Sequence, residues 1–427
     1  MSILALILIV FIALMICGIP IAVSVGLATI VALLLGGDMS ISIVPQKMFV
    51  AVNSFTLLAI PFFMLAGAIM EQSGITAKLV KFADSLVGWM RCGMCYVVAV
   101  AGMLMAGISG SATADTAALS SIMIDAMDKM GYPKKFSAPL LAASGSVGVI
   151  IPPSLTFIIL GSITSISVSK LFMAGVIPGV LVGFGLMIAS RIICTKYGWG
   201  MSITAKFSIK EVWKSFLDSL LPLLAPVIII GGIVSGIFTP TEASVVAVVY
   251  TFILGTLVYK TISPKDFINI ASKAAKGTAI VMFVIGTSMV FSWLLTVYNV
   301  PKMIGTLLTS VSDSHYFILA IIAVVFFIGG MFIDGTPLII MLVPVFFPII
   351  QSVGIDPLTF GVVICILSAI GGVSPPVGAA LFVACSSGNV RMETTLLYTI
   401  PFLIAMLVVV ALIIFIPNLT TLIPGLI

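Results

Sequence analysis

The sequence feature that most constrains the fold is an ungapped internal repeat. Residues 107–179 are echoed 223 positions later, and the echoed positions are mostly helix breakers set in very apolar sequence. Two copies of a broken membrane helix favour a transporter whose site lies at the interface between the repeats. The matching pairs are Gly107 and Gly330, Thr113 and Thr336, Gly131 and Gly354, Gly148 and Gly371, Pro152 and Pro375, Pro153 and Pro376, and Ile177-Pro178 and Ile400-Pro401.

Composition predicts that the chain lies in a lipid bilayer. Hydrophobic residues make up 61% of its 427 residues and charged residues 8%, with a mean hydropathy of +1.36. Soluble domains carry roughly 25% charged residues, so a multi-pass membrane protein is expected. The length suffices for about a dozen spans of about 20 residues each. The net charge of +5 comes from Lys and Arg placed mostly between apolar runs, which predicts no nucleic-acid partner.

Apolar runs predict an all-α polytopic fold. Two stretches, 95–129 and 316–353, are too long for one span and are interrupted by small or polar residues at 107–113 and 333–337. We expect both to be re-entrant hairpins, because non-helical backbone at membrane depth is tolerated only inside protein or beside a water-filled cavity. Full crossings are predicted at 2–17, 20–36, 53–71, 136–163, 171–192, 219–237, 241–259, 279–298, 358–387 and 394–416.

Loop charge predicts that the two repeats are inverted in the membrane. The loop after the first hairpin carries Lys129, Lys134 and Lys135, whereas its counterpart, 351–357, has no Lys or Arg. The positive-inside rule then places the first loop in the cytoplasm and the second outside. An even number of crossings puts both termini outside as well. Three lysines are exceptions on the predicted outside: Lys47, Lys170 and Lys302.

Three further segments, 74–91, 203–218 and 263–276, mix apolar and charged residues at helical spacing. This pattern is typical of helices that lie in the headgroup plane. Such helices would brace a fixed frame against which the hairpins move. The alternative is that each segment is a plain cytoplasmic loop.

The first hairpin tip and the first broken helix form one candidate site. The tip is Ser109–Asp115, and the broken helix carries Gly148 and the pair Pro152-Pro153. Prolines remove backbone donors and free carbonyls one turn earlier, while glycine and serine let the chain unwind. Free carbonyls and hydroxyls form a hard-oxygen set suited to a small cation, and a nearby helix N-terminus favours an anion.

The second half repeats this design with Asp334–Pro337 and Gly371–Pro376. At the 223-residue offset Ser111 aligns with Asp334, so we expect two related but unequal cation sites flanking one anionic substrate. Asp115 and Asp334 are the carboxylates at the tips, and a charge inside a membrane is costly enough to indicate function. The alternative is that each carboxylate only caps a hairpin helix through backbone N–H groups.

Hydroxyl groups are the predicted ligands of the substrate. The chain has only three arginines, all near span ends, so a substrate carboxylate is expected to be held by hydroxyls, backbone N–H groups and helix dipoles. The predicted substrate-binding residues are Thr113, Ser144, Ser146, Ser154, Thr156 and Ser374.

Two other motifs have a structural interpretation. Thr239, Pro240 and Glu242 suit the N-cap, N1 and N3 positions of a capping box, so Glu242 is predicted to stabilise a helix. Cys92 and Cys95 have C-x-x-C spacing, but no second pair and no nearby histidine completes a zinc set. No organic cofactor is predicted.

Six segments spread over essentially the whole chain carry a family resemblance: Gly18–Ala22, Ile60–Gly67, Gly107–Asp115, Gly148–Pro153, Gly236–Ala243 and Gly371–Gly378. They resemble the large membrane subunit, the DctM-like permease, of tripartite ATP-independent periplasmic (TRAP) transporters. The resemblance implies the inverted-repeat elevator fold of the ion-transporter superfamily, coupling to a sodium gradient, and a bacterial inner-membrane location. It also implies a periplasmic substrate-binding protein, a small four-helix membrane subunit, and organic acids such as C4-dicarboxylates, sialic acids and sugar acids as substrates.

The resemblance also implies site residues and a domain division. Some large subunits are fused to the small one, but this chain starts directly with the large-subunit pattern, so a separate small subunit is implied. Scaffold parts would be 1–92, 171–312 and 393–427, and the mobile parts 93–170 and 313–392. Two or more sodium ions would be held by backbone and side-chain oxygens around Ser109, Ser111, Asp115, Ser144 and Gly148, and around Asp334, Gly335, Thr336, Gly371 and Val373.

Three classes of function are compatible with these features. A sodium-coupled uptake permease for an organic acid anion explains the duplicated breaks and the hydroxyl-rich tips. A binding-protein-independent sodium/carboxylate symporter or exchanger of the same fold is the alternative, and sequence alone separates the two poorly. An intramembrane aspartyl hydrolase using Asp115 and Asp334 is a third class, but it leaves the duplicated Pro-Pro breaks unexplained.

Overall fold

The computed structural model describes residues 3–36, 39–201, 206–312 and 314–426, and every regular element in these ranges is helical, as predicted. The α-helices are α1 (Ile3–Ile16), α2 (Ile21–Gly36), α3 (Ile43–Val52), α4 (Ala59–Gln72), α5 (Ile75–Val87), α6 (Gly93–Ser109), α7 (Ala112–Lys129), α8 (Lys134–Ser146), α9 (Leu155–Thr164), α10 (Val168–Tyr197), α11 (Ile209–Val234), α12 (Pro240–Ile253), α13 (Pro264–Val297), α14 (Val300–Val311), α15 (His315–Phe332), α16 (Gly335–Ser352), α17 (Pro357–Val373), α18 (Ala379–Gly388), α19 (Leu396–Phe415) and α20 (Asn418–Thr421).

Helix length limits which elements can cross a bilayer alone. Within the described residues, 7 helices are long and apolar enough, or 8 if α3 and α4, bent by 67°, form one span. The predicted ten crossings are not all met by this test, since α1 and α2 have 14 and 16 residues. At 1.5 Å per residue these cover about 21–24 Å of a hydrocarbon core about 30 Å thick. Conversely, both arms of the second hairpin, α15 and α16, pass the test.

The two repeats form interlocked units. Each unit is a helical hairpin followed by a broken helix: α6–α7 with α8 and α9, then α15–α16 with α17 and α18. Helix α8 packs against α17 and α18, α18 packs against α7, and α9 packs against α16. The breaks contain Pro152-Pro153 and Pro375-Pro376, and both of these peptide bonds are cis. Each broken helix therefore lies against the other half of the molecule.

The inversion predicted from loop charge is present in the fold. Helix α6 of the first hairpin packs against α5, which follows α4, and Glu71 of α4 pairs with Lys273 near the start of α13 at 3.1 Å. Helix α16 of the second hairpin packs against α14, which follows the end of α13. The hairpins thus enter from opposite ends of α13.

A second group of helices surrounds α13. It packs against α2, α3 and α4, while α12 packs against α4 and α11 against α5. Thr239 and Glu242 at the start of α12 form the predicted capping box, with both Thr239 N–H and its hydroxyl 2.8 Å from Glu242 Oε2. Helices α10 and α19 pack against each other and against the hairpin units rather than against this group. The five-part domain division stays a prediction, since one conformation does not define which parts move.

Two of the three predicted surface helices are wrong as separate elements. Segment 203–218, over its described residues, continues without a break into the next span as α11, and 263–276 continues as α13. Pro222 and Pro226 lie inside α11 without ending it. Segment 74–91 does form a separate short amphipathic helix, α5, which buries Ile75, Leu79 and Ala83, and its place in the headgroup plane stays a prediction. The corresponding helix of the second half, α14, was not predicted. The 223-residue offset does indicate it, because Ile75 at the start of α5 corresponds to position 298, two residues before α14 begins.

Candidate functional site

The tip of the first hairpin is held tightly against the first broken helix. Gly110, between α6 and α7, has a φ of +64°, in the left-handed region that favours glycine. The Ser111 hydroxyl accepts a hydrogen bond from the Ala114 N–H at 3.5 Å and caps α7. A Cβ atom on Gly110 would lie 2.7 Å from the Pro153 carbonyl oxygen. There is no room for a side chain between the tip and the break.

Asp115, in the first turn of α7, is a buried carboxylate with one unpartnered oxygen. It is 1% exposed, and its Oδ1 accepts a hydrogen bond from Ser109 Oγ at 2.6 Å, whereas Oδ2 has no hydrogen-bond partner. Gly148 of the broken helix faces this oxygen, because a Cβ there would overlap Oδ2 and lie 3.5 Å from the Ser111 carbonyl oxygen. The Ser144 hydroxyl, one turn earlier, is also buried without a partner. The Asp115 Oδ2 and Ser111 carbonyl oxygens, both close to the Cβ position of Gly148, are hard ligands that suit a small cation.

The first break satisfies its own backbone through Ser154. The helix ends at Ser146, continues as a 3-10 turn over Val147–Val149, and resumes as α9 after Ser154. Ser154 Oγ donates to the Val149 carbonyl oxygen at 2.6 Å and accepts from the Phe157 N–H at 3.4 Å. Since the two prolines in the gap have no N–H, this hydroxyl replaces bonds that the helix ladder cannot make.

The second half is built differently at the same place. Asp334 is the N-cap residue of α16, and its side chain is exposed rather than buried. Gly371 packs directly on Gly330, where a Cβ would lie 2.8 Å from the Gly330 carbonyl oxygen. The Val377 N–H donates to the Met331 carbonyl oxygen at 3.3 Å, which ties this break to its hairpin. In both halves the hairpin tip therefore packs closely against the broken helix, but only in the first half is the aspartate buried.

A central cavity of about 270 Å³ lies between the two hairpin tips. The first residues of α7, α9, α16 and α18 all line it. A helix N-terminus carries about half a positive charge and unpaired N–H groups, so four of them together favour an anion. Among the described residues no Lys or Arg lines this cavity, and its far wall is formed by Met64 of α4 and by Gly277, Ile280 and Val281 of α13.

The lining of the central cavity follows the repeat. Five pairs of lining residues are separated by the same 223 positions. This places the cavity at the interface where the two halves meet, the location expected for the substrate in inverted-repeat transporters. The pairs are Ser111 and Asp334, Ala112 and Gly335, Thr113 and Thr336, Val149 and Gly372, and Thr156 and Ala379.

The structure separates the predicted substrate ligands into two groups. Thr113 and Thr156 line the central cavity. The other four are buried beside it and do not line it: Ser144, Ser146, Ser154 and Ser374. Among the predicted sodium ligands, Ser111, Asp334, Gly335 and Thr336 also line the cavity, whereas Gly371 and Val373 are buried at the end of α17.

Sequence reasoning missed the residues that close the cavity from outside the repeat. Met64, Gly277, Ile280 and Val281 lie beyond the echoed stretches, so the offset gives no signal for them. Ser368 of α17 was also missed, but it is the 223-residue counterpart of Gly145, one residue after Ser144. The 223-residue offset within the broken helices therefore does carry a signal for Ser368.

The two aspartates do not form a catalytic pair. Asp115 lines a separate small cavity of about 20 Å³ with Glu71, large enough for about one water molecule. Asp334 lines the central cavity instead. The shared-carboxylate geometry that an aspartyl hydrolase needs is therefore not present between these two residues.

Comparison with known proteins gives the family. The model of the family "Tripartite ATP-independent periplasmic transporter, DctM component" matches residues 8–419. The sialic acid TRAP transporter large permease protein SiaM of Vibrio cholerae is 37% identical over 416 residues, covering 97% of this chain and 97% of that protein. The C4-dicarboxylate TRAP transporter large permease protein DctM of Pseudomonas aeruginosa is 37% identical over 402 residues, covering 94% of each chain.

A solved structure supports the fold. The Alcanivorax borkumensis YdaH transporter superposes with a TM-score of 0.63, at 13% identity, over 86% of each chain. The relatives are transporters rather than enzymes, which agrees with the separation of Asp115 from Asp334. The match over nearly the whole length, together with the duplicated hairpins and breaks, shows that the chain is a multi-pass membrane transport protein and belongs to the DctM component family of tripartite ATP-independent periplasmic transporters.

Proposed function

We propose that the chain is the large permease of a sodium-coupled uptake system for an organic acid anion of the sialic acid or C4-dicarboxylate type. The observation that carries this proposal is the convergence of four helix N-termini on the central cavity. Their N–H groups and dipoles suit a carboxylate without a cationic side chain. The volume of about 270 Å³ lies just below the range of about 300–1,000 Å³ for ligand pockets, which favours a small organic acid.

Sodium coupling is proposed from the state of Asp115. A buried carboxylate oxygen without a partner is unfavourable, so the site has a strong tendency to take up a positive charge. A small cation bound to Asp115 Oδ2, the Ser111 carbonyl and the Ser144 hydroxyl would supply it. The second site, around Asp334, Gly335 and Thr336, would hold a further ion at the cavity wall. Gly371 and Val373 would contribute backbone oxygens there.

Movement of the substrate is proposed to follow an elevator mechanism. The cavity has one wall from the hairpins and breaks and the other from α4 and α13. Sliding the first group along the second would carry the cavity from one side to the other while its lining stays intact. Loop charge supports a cytoplasmic start of α13 and outer positions for both termini, in the inner membrane of a bacterium.

Two protein partners belong to this proposal. A tripartite family implies a substrate-binding protein and a small membrane subunit. We propose that the binding protein is periplasmic and delivers the anion to the outer side. The small subunit is proposed to be a four-helix protein on a separate chain.

Uptake into proteoliposomes tests the proposal. The chain, its small subunit and its liganded binding protein are reconstituted, and uptake is measured with an inward sodium gradient or with a proton gradient alone. Uptake should require sodium, and Asp115→Asn should abolish most of the uptake. Asp125→Asn is the matched control, since this exposed acid of α7 pairs with Lys134 at the surface. Equal uptake in the proton gradient would rule out sodium coupling.

A further inference from the structure

A second cavity, which we name the outer vestibule, lies beside the central cavity and has several polar side chains in a mainly apolar lining. It has a volume of about 360 Å³ and is lined by α3, by the segment between α3 and α4, and by α9, α13 and α16. Lys47, Ser54, Ser162, Ser292 and Thr296 supply its polar groups. Lys47 is one of the lysines that depart from the positive-inside rule, and neither the fold nor the central cavity explains its position.

The outer vestibule and the central cavity lie in series along the same helices. On α9 the lining passes from Thr156 in the central cavity to Ile159 in the vestibule, and on α13 it passes from Val281 to Ile285. Steps of three and four residues along a helix correspond to about 4.5 and 6 Å. The two cavities are therefore neighbours along α9 and α13.

The vestibule lies on the side from which the substrate arrives. The start of α13 carries Lys265, Lys273 and Lys276, which loop charge places in the cytoplasm. The vestibule is lined by the opposite end of α13, around Trp293 and Thr296. It therefore lies between the outer surface and the central cavity.

The charge of the outer vestibule suits a carboxylate. In the described part of the chain, no acidic residue lines the vestibule. No carboxylate of these described residues lies within 4.0 Å of the Lys47 ammonium group, the distance limit for an ion pair. The Lys47 ammonium group lies 5.3 Å from the centroid of the Trp293 ring, which holds it at the cavity wall. Ser162 donates to Ser54 Oγ at 3.4 Å, so the proton of the Ser54 hydroxyl remains available to an anion.

We propose that the outer vestibule is a first binding position for the carboxylate group of the substrate, held by Lys47 and the Ser54 hydroxyl before transfer to the central cavity. This inference rests on the proposed function. A lysine attracts an anion over a longer range than helix N-termini, whose effect falls off within a turn. The vestibule would therefore capture the anion, and the central cavity would carry it.

Trp293 provides a direct test with the purified protein. Its fluorescence is followed while succinate or N-acetylneuraminate is added to the wild type, Lys47→Gln and Lys302→Gln. Lys302, an exposed outer-side lysine of α14 that does not line the vestibule, is the matched control. At least one acid should give a saturable change that disappears in Trp293→Phe. Since a hydrogen bond to a charged group contributes about 1.5–3 kcal/mol, Lys47→Gln should weaken the response about tenfold or more. Lys47→Arg should largely restore it.

Uptake kinetics give the second readout and separate the two proposals. In proteoliposomes Lys47→Gln should raise KM about tenfold with little change in kcat, whereas Lys302→Gln should match the wild type. Equal behaviour of Lys47→Gln and Lys302→Gln in both assays, or no Trp293-dependent response to either acid, would overturn the vestibule and leave the proposed function standing. A wild type that takes up no organic acid but binds one at Trp293 would overturn the proposed function and retain the vestibule.

Discussion

Replacement of Gly148 by alanine tests the first cation site directly. A Cβ atom at this position would overlap Asp115 Oδ2, while the next nearest atoms are the Asp115 carboxyl carbon at 3.3 Å and the Ser111 carbonyl oxygen at 3.5 Å. Gly148 is not in the left-handed region, so alanine adds no backbone strain. The new methyl group would therefore fill the space in front of the unpartnered oxygen and disturb little else.

The expected loss of sodium affinity follows from the interactions that Asp115 loses in Gly148→Ala. To clear the methyl group its carboxylate must rotate, which breaks the 2.6 Å hydrogen bond from Ser109 or turns Oδ2 away from the cation. A hydrogen bond to a charged group contributes about 1.5–3 kcal/mol. Because each 1.4 kcal/mol is a factor of ten in affinity, the sodium concentration for half-maximal uptake should rise roughly 10- to 100-fold.

Two measurements check this expectation. One is the sodium dependence of uptake in proteoliposomes, and the other is the rise of Tm with added sodium in the purified protein, which reports binding to the native state. Gly231→Ala is the matched control, because this glycine of α11 has no atom within 4 Å of a new Cβ. A folded Gly148→Ala protein with the sodium dependence of the wild type would refute the placement of a cation between Gly148 and Asp115.

Two further substitutions test the hairpin tip and the roles of the hydroxyls. Gly110→Ala should destabilise the protein by about 1–3 kcal/mol, because it adds left-handed backbone strain and a close contact with the Pro153 carbonyl oxygen. Gly236→Ala is the control: its φ is +73° but the space around it is open, so it should add the backbone strain alone. Thermal unfolding of the two variants compares these costs. Ser154→Ala should lower Tm, because it removes an N-cap worth about 1 kcal/mol, and should leave the substrate KM unchanged. Thr156→Ala should raise the substrate KM, because Thr156 lines the central cavity. The reverse pattern would mean that Ser154 faces the substrate.

Helix breakers made much of the fold predictable. Glycine and proline act locally on the backbone, so the hairpin tips and the two breaks could be placed from sequence. Charged residues were less informative about where helices end, because a helix can continue from the membrane into the charged surface region without a break. The Lys-rich segment 263–276 reads as a surface helix, yet nothing in it stops the helix, and α13 continues to Val297.

The candidate site was predictable in position but not in side-chain direction. The 223-residue offset pairs the residues that line the central cavity because the duplication preserved their place at the tips and breaks. Which serines face the cavity depends on how each helix rotates as it unwinds. Ser144 and Ser146 lie in the last turn before the break, and both face buried surroundings instead. Sequence spacing does not record that rotation.

The inequality of the two halves has a consequence for coupling. Asp115 has no counterpart, since 115 plus 223 gives Leu338, and the acid of the second half, Asp334, stands at the wall of the central cavity instead. An ionised Asp334 would repel an anionic substrate in that cavity, and a sodium ion bound to it would remove the repulsion. Substrate affinity should therefore depend on sodium chiefly through Asp334.

The ratio of the substrate KM at low sodium to that at high sodium measures this dependence. In Asp334→Asn the ratio should approach one, because the repulsion is absent whether or not sodium is present. Asp115→Asn, in contrast, removes a charge that is 1% exposed and lines a different cavity, so its residual uptake should keep a ratio above one. Equal ratios in Asp334→Asn and the wild type would show that the second acid does not link sodium to the substrate, and the two halves would then differ in structure without differing in role.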